Sequence, residues 1–363
     1  MVRSVRAAAY VIPTDAPEAD GTLSWDATSL VVCEVEAGQI RGLGYSYAHQ
    51  ACVPLIENTL AAVLTGRDVL DVPGAWTAMQ REIRNVGWPG VAACSLSAVE
   101  TALYDAKARL LDLPLASLFG RCHEAVPVYG SGGFTSYDDE RTGGQLRRWV
   151  HEQRIPRVKI KIGESWGTRV DRDLHRVALA RSVVGDGVEL YVDANGGYGV
   201  GQAVRIGRAL ADQGVTWFEE PVSSDHPAGL AQVRGQVTPD VAAGEYGYHL
   251  PYFAAMLAAQ AVDCLQIDVT RCGGYGEWLR AAATAASCGI DVSGHCAPNL
   301  SAHVASATPN LRHVEYFHDH ERIERILFDG TLEPDGGALR PDLSRPGHGL
   351  ALKHADAEPY RVR

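Results

Sequence analysis

The sequence of 363 residues has no long apolar run, no basic cluster and no closely paired cysteines. No stretch reaches the ~18 consecutive apolar residues of a membrane-spanning helix. The opening residues carry no extended apolar core before Asp15, so no secretory signal is expected there. Lys and Arg total 33 against 44 Asp and Glu, a formal net charge of -11. A duplex-binding protein would carry a basic face, and an acidic surface gains nothing from anionic lipid. The eight cysteines (Cys33, Cys52, Cys94, Cys122, Cys264, Cys272, Cys288 and Cys296) are scattered, and none forms a C-x-x-C pair. That spacing argues against zinc and against a disulfide framework, and for reduced thiols. The expectation is a soluble cytoplasmic protein with no nucleic-acid or membrane partner.

What is present is a large apolar fraction, 46%. The length suits a large barrel with a smaller partner domain. Residues 5–12 and 29–35 are strand-like, and 13–25 between them, rich in Pro, Asp and Gly, read as a loop. Residues 96–113 follow helical spacing, with Val99, Ala102, Leu103, Ala106 and Leu110 on one face and Pro114 ending the run. From Val126 the texture changes to short β-rich runs at 126–130, 157–162, 190–194, 216–220, 241–245, 264–269, 291–294 and 312–317. Amphipathic helical stretches separate them. Eight such units predict an α/β fold, a (β/α)8 TIM-type barrel, with a doubly wound open sheet as the alternative. The organisation read from this is an α+β capping domain at 1–122, the barrel at 123–328, and a Gly- and Pro-rich segment at 329–363 that returns to the capping domain.

Barrel enzymes place their chemistry at the carboxyl ends of the strands. Those ends here hold Lys159 and Lys161, then Asp193 and Asn195, Glu219 and Glu220, Glu245, Asp268, His295 and Glu315. Seven successive strands thus bring an ionisable residue to one mouth. Asp193, Glu219 and Glu245 supply three hard oxygen donors from adjacent strands, which suits Mg²⁺, with Mn²⁺ as a substitute. The plainer reading is a solvated Glu219–Glu220 pair capping a strand before Pro221. Lys159 and Lys161 share a strand face, and each charge is expected to disfavour the other and lower its pKa. Lys161, nearer the end, is the candidate base, and Lys159 would tune it or touch a substrate carboxylate. Asp268 next to His295 would fix the ring tautomer and leave the other nitrogen to move protons. Glu315 would hydrogen-bond a substrate carboxylate if protonated, or serve the structure.

This set resembles the enolase superfamily, in particular its mandelate racemase-type subgroup. The motifs carrying the resemblance are Ala102-Leu103-Tyr104-Asp105, Leu118-Phe119-Gly120, Lys159-x-Lys161, Asp193-x-Asn195, Glu219-Glu220-Pro221, Gly244-Glu245, Asp268-x-x-Arg271-x-Gly273-Gly274, His295 and Pro346-Gly347-His348-Gly349-Leu350. The resemblance implies one Mg²⁺ on Asp193, Glu219 and Glu245. It implies Lys161 and the His295–Asp268 pair as bases on opposite faces, with Glu315 as the acid of the eighth strand. Asn195, Arg271 and Lys159 become candidate substrate contacts. The muconate-lactonising type carries a lysine on the sixth strand, where this chain has Asp268, so the racemase-like group is the better match. The implied reaction is removal of the α-proton of a hydroxy-carboxylate through an enediolate. It leads either to dehydration of an acid sugar or to racemisation or epimerisation. A metal- or sugar-acid-binding scaffold without turnover is the reading from another class, which two matched bases argue against. Capping segments 13–25 and 45–56 would set the substrate. Their lack of an Arg or Lys cluster favours a mono-acid over a diacid. Family analogy implies a homo-oligomer.

Overall fold

The computed structural model describes residues 1–362. Eight parallel strands form its centre: β4 (Val126–Gly132), β5 (Arg157–Lys161), β6 (Glu189–Asp193), β7 (Val215–Glu219), β8 (Asp240–Ala243), β9 (Cys264–Ile267), β10 (Asp291–Gly294) and β11 (Leu311–Phe317). A helix follows each strand, from Asp139–Arg147 after β4 to His318–Leu327 after β11. β11 pairs in parallel with β4, so the sheet closes on itself and the open-sheet alternative is excluded. Apolar residues of these strands, such as Val158, Ile160, Val192 and Phe218, are buried in the main core. The register sets Lys161 opposite Asp193, and Asp193 opposite Glu219. Three of the expected site residues are therefore neighbours through strand pairing alone.

The N-terminal part is a three-stranded antiparallel sheet in the order β1 (Val2–Ala19), β2 (Ser24–Ala37), β3 (Ile40–Ser46). The expected loop at 13–25 is for the most part strand. β1 continues through Pro13 and Pro17, and its pairing with β2 slips between Pro13 and Glu18. Proline is tolerated there because β1 is an edge strand and the slip is a bulge. The segment at 45–56 likewise starts as the end of β3 and finishes in the helix Cys52–Leu55. β3 itself, with Gly42 and Gly44, did not read as a strand. Its glycines serve close approach: a Cβ on Gly42 would lie 2.2 Å from the Ala102 carbonyl oxygen. The helix there runs Val91–Leu110 and is buried nearly all round, Glu100, Thr101 and Asp105 included, not on one face only.

The C-terminal segment touches both the barrel and the N-terminal sheet. Ala338–Leu339 pairs antiparallel with the start of β4, and the Val362 amide donates to the Ala9 carbonyl at 2.8 Å. The β1–β2 hairpin reaches over the barrel. The Trp166 amide donates to the Gly21 carbonyl at 2.8 Å. A Cβ on Gly21 would lie 2.7 Å from the Ala194 carbonyl oxygen and 2.8 Å from that of Ile162. The hairpin tip therefore sits directly on the ends of β5 and β6.

Candidate active site

The carboxyl ends of β6, β7 and β8 hold Asp193, Glu219 and Glu245, all buried, with one oxygen of each within 4.8 Å of the others. Lys161 Nζ donates to Asp193 Oδ2 at 2.5 Å. Lys159 Nζ lies deeper, 2.5 Å from Glu219 Oε1, 2.8 Å from Glu315 Oε1 and 3.6 Å from Asp193 Oδ2. Trp217 Nε1 donates to Glu219 Oε2 at 2.9 Å, and Ser131 Oγ to Glu315 Oε1 at 2.6 Å.

On the other flank, His295 Nδ1 lies 2.7 Å from Asp268 Oδ2, and Thr270 donates through both N and Oγ1 to Asp268 Oδ1 at 2.7 Å. His295 Nε2 is 3.3 Å from Glu245 Oε2. The row of three acids is thus bracketed, with a lysine on its first member and a histidine on its last. Arg271 does not project freely into the mouth. It ties Asp268 Oδ2 (3.5 Å) to Glu245 Oε1 (3.3 Å), as Lys159 ties Glu219 to Glu315. The Asn195 amide donates to Asp193 Oδ1 at 2.9 Å. Its side chain, with Glu220, Trp166, Tyr246 and His249, lines a cavity of about 390 Å³ beside the acids.

The electrostatics differ from the sequence expectation at two points. Lys159 does lower Lys161, as expected for like charges, but the carboxylates around the pair outweigh that repulsion. Burial opposes their charge, but Glu219 and Glu315 on Lys159, and Asp193 on Lys161, hold both above the ordinary lysine value. Glu315 is held well below the carboxylate range, because Lys159, His295 and Lys161 outweigh its burial. It is an ionised acceptor, not the protonated donor that was one of its two expected roles. Burial and the Asp193 charge push Glu219 up to about 8. Burial opposes the Asp268 charge, but the hydrogen bond and charge of His295, with Arg271, keep Asp268 low. The ionised Asp268 therefore accepts a hydrogen bond from Nδ1–H and leaves Nε2 facing the mouth. Burial also opposes the charge on His295, yet Glu245 and Glu315 raise it.

Several oxygens are left open. Glu245 Oε2, Glu220 Oε1 and Asn195 Oδ1 are buried without hydrogen-bond partners. Native interiors rarely leave such groups unpaired. Open carboxylate oxygens gathered in a buried, all-oxygen set fit a hard dication.

Ser131, Trp217 and Cys296 were not singled out from sequence. Cys296 Sγ lies 3.4 Å from His295 Nε2 and 3.2 Å from Glu315 Oε2. Only its place directly after His295 hinted at this. Glu220 was named as a neighbour of Glu219 but not as a site residue. Its carboxyl is buried, with φ +37°, and burial together with Glu245 and Asp193 pushes it well up. Above the mouth, Trp25 of the hairpin packs edge-on against Phe134, ring centroids 5.6 Å apart.

Residues 141–357 match the family model "Enolase C-terminal domain-like", and residues 5–120 match "Mandelate racemase / muconate lactonizing enzyme, N-terminal domain". A mandelate racemase/muconate lactonizing enzyme-like protein from Rubrobacter xylanophilus superposes with a TM-score of 0.96 at 48% identity, over 99% of both chains. A racemase from Streptomyces coelicolor A3(2), solved with bound magnesium, gives a TM-score of 0.93 at 27% identity over 100% of both chains. An arabinonate dehydratase of Saccharolobus solfataricus is 28% identical over 92% of this chain and 91% of its own length. Other relatives carry cycloisomerase, dehydratase and epimerase names.

Proposed function

The chain belongs to the mandelate racemase and muconate lactonizing enzyme family of the enolase superfamily, and from that premise we propose that it removes the α-proton of a sugar mono-acid and expels its β-hydroxyl as water. The observation that carries this is the bracketing of three acids by Lys161 on one flank and His295, backed by Asp268, on the other.

Asp193, Glu219 and Glu245 would hold Mg²⁺, a reading supported by the bound magnesium of the Streptomyces racemase structure. When bound, Mg²⁺ relieves Lys161 of the pull of Asp193 and stabilises the substrate carboxylate as negative charge moves onto it. Lys161 Nζ takes the α-proton. Lys159, held by Glu219 and Glu315, presents a fixed positive charge below it. His295 Nε2 delivers a proton to the departing β-hydroxyl, and Asp268 holds the ring in the tautomer and orientation this needs. The hairpin tip on β5 and β6 keeps bulk water from the reacting carbon. The keto acid forms when the enol product tautomerises. The dehydratase names among the relatives favour this outcome. A second reading rests on the same two-base placement: His295 returning a proton to carbon from the opposite face gives racemisation or epimerisation, as the racemase and epimerase names among the relatives suggest.

The test is a panel of acid sugars with Mg²⁺ in D₂O, following keto-acid formation and α-deuterium together. Keto acid from one or a few members is the expected result, and deuterium exchange without keto acid selects the second reading. Lys161→Ala and His295→Asn should each lower turnover at least ~10³-fold while Mg²⁺ still binds. Full activity in both variants would overturn the two-base assignment.

A further inference from the structure

Away from the row of acids, a second group of donors converges. Asp15 and Glu18 lie on β1, and His318 directly follows β11. One ligand atom from each falls within 4.8 Å of the others. His318 Nε2 is 3.3 Å from both oxygens of Asp15. Glu18 is fully buried, and its Oε2 accepts from Trp25 Nε1 at 2.9 Å. That bond fixes the carboxylate and leaves Oε1, also buried, without any partner among the described residues. A buried carboxylate oxygen with nothing to accept from, next to an imidazole nitrogen and a second carboxylate, is the chemistry of a cation site.

The other charges facing the group are accounted for. Arg141 pairs with Asp15 Oδ1 at 2.9 Å. Arg322 is taken up by the Pro13 carbonyl and by Asp319 Oδ1, at 2.7 and 2.6 Å. Asp319 also accepts from Thr28 Oγ1. Neither arginine bonds Glu18. Burial and the nearby Asp319 push Glu18 up to about 8, as expected for a carboxyl with no positive partner.

We propose that Asp15, Glu18 and His318 form a second metal site, one that takes a first-row transition dication such as Zn²⁺ in preference to Mg²⁺. One imidazole and two carboxylates make a mixed N/O set, which zinc accepts and magnesium, with its demand for oxygen, does not favour. The donor set contains no cysteine, so cysteine spacing gave no hint of it. A metal takes the free lone pair of an imidazole and ionised carboxylates, so affinity falls with acidity. Asp15 and His318 are 303 positions apart in the chain. An ion between them would clip the hairpin down over the barrel mouth, a stabilising closure of a very long loop. This inference does not rest on the proposed reaction.

The experiment keeps Mg²⁺ at millimolar concentration to fill the row of acids and adds Zn²⁺ to the full chain. Bound zinc is counted after desalting and located in crystals by anomalous scattering at the zinc edge. The expected result is one zinc per chain, with its peak between Asp15, Glu18 and His318. Glu18→Gln and His318→Asn should each weaken zinc binding at least ~100-fold, whereas Asp193→Asn should leave it in place. A zinc peak only at Asp193, Glu219 and Glu245, or zinc binding unchanged in both Glu18→Gln and His318→Asn, would overturn the site. The map of the unsubstituted protein decides the matter even if a variant folds poorly.

Discussion

Two regions of this molecule treat their buried carboxyls differently. On the helix Val91–Leu110, Glu100 accepts from the Tyr275 and Gly276 amides, both at 2.8 Å. Asp105 accepts from the Leu43 amide (2.9 Å), the His348 amide (3.0 Å) and Arg109 Nε (2.6 Å). Every oxygen of these two acids has a donor, and all the donors but Arg109 come from elements distant in sequence. At the barrel mouth, Glu220 and Glu245 each keep a buried oxygen without one. A buried polar group left unpaired costs roughly 1–3 kcal/mol. Asp193 and Glu219 do have a donor on each oxygen, but these belong to the mouth itself: Lys161 and the Asn195 amide on Asp193, Lys159 and Trp217 on Glu219. The contrast therefore lies in who the donors are, mostly backbone amides on the helix and mostly site side chains or nothing at the mouth.

Neutralising one acid from each region should break the protein in different ways. Glu245→Gln should have the largest effect on turnover, a loss of at least ~10³-fold, which is roughly 4 kcal/mol of transition-state stabilisation. Calorimetry should show Mg²⁺ binding gone while the urea midpoint hardly moves, because the amide oxygen still serves Arg271. Asp105→Ala should do the reverse. It strands Arg109 and two amides at a buried position, at a cost of roughly 3 kcal/mol in urea unfolding, and turnover per folded molecule at low temperature should be unchanged. If Glu245→Gln instead unfolded the chain, or Asp105→Ala instead silenced it, the division between the regions would fail. A smaller effect sharpens the comparison. Trp217→Phe removes the indole N–H that holds Glu219 Oε2, and Mg²⁺ affinity should fall about 10- to 100-fold with the fold intact. Unchanged affinity would mean that the lysine contacts suffice to place Glu219.

The barrel was legible because its strands are short apolar runs that end in charge, and strand pairing does the rest: Lys161, Asp193 and Glu219 need only be in register to meet. The pairing of Asp268 with His295 followed from their places at neighbouring strand ends. What depended on distant partners was not legible. β3 was hidden by Gly42 and Gly44, whose purpose is visible only once a helix lies against them. The extension of β1 was hidden by Pro13 and Pro17, tolerable only at an edge. The repulsion between the two lysines was legible, but not the carboxylates that outweigh it. Glu315, more than 150 positions away, was left out of that balance, although it sits 2.8 Å from Lys159.

A pH titration tests whether a fully hydrogen-bonded acid is also a charged one. Burial pushes Glu100 up to about 8 despite its two amide donors. The ordinary value is 4.5, so between those limits the folded chain holds a proton that the unfolded chain has lost. Stability contributed by Glu100 should therefore fall as pH rises through that window, by at most about 1.4 kcal/mol per pH unit, and level off above it. Glu100→Gln removes the titration while keeping one acceptor, so the difference in unfolding free energy between the two proteins should slope from pH 5 to 8. A flat difference would show that two amides at the start of the helix Tyr275–Ser287 keep the carboxylate ionised in the core. In that case satisfaction by backbone donors would be enough to hold a buried charge, and the open oxygens at the barrel mouth would stand out all the more as positions that only a cation can complete.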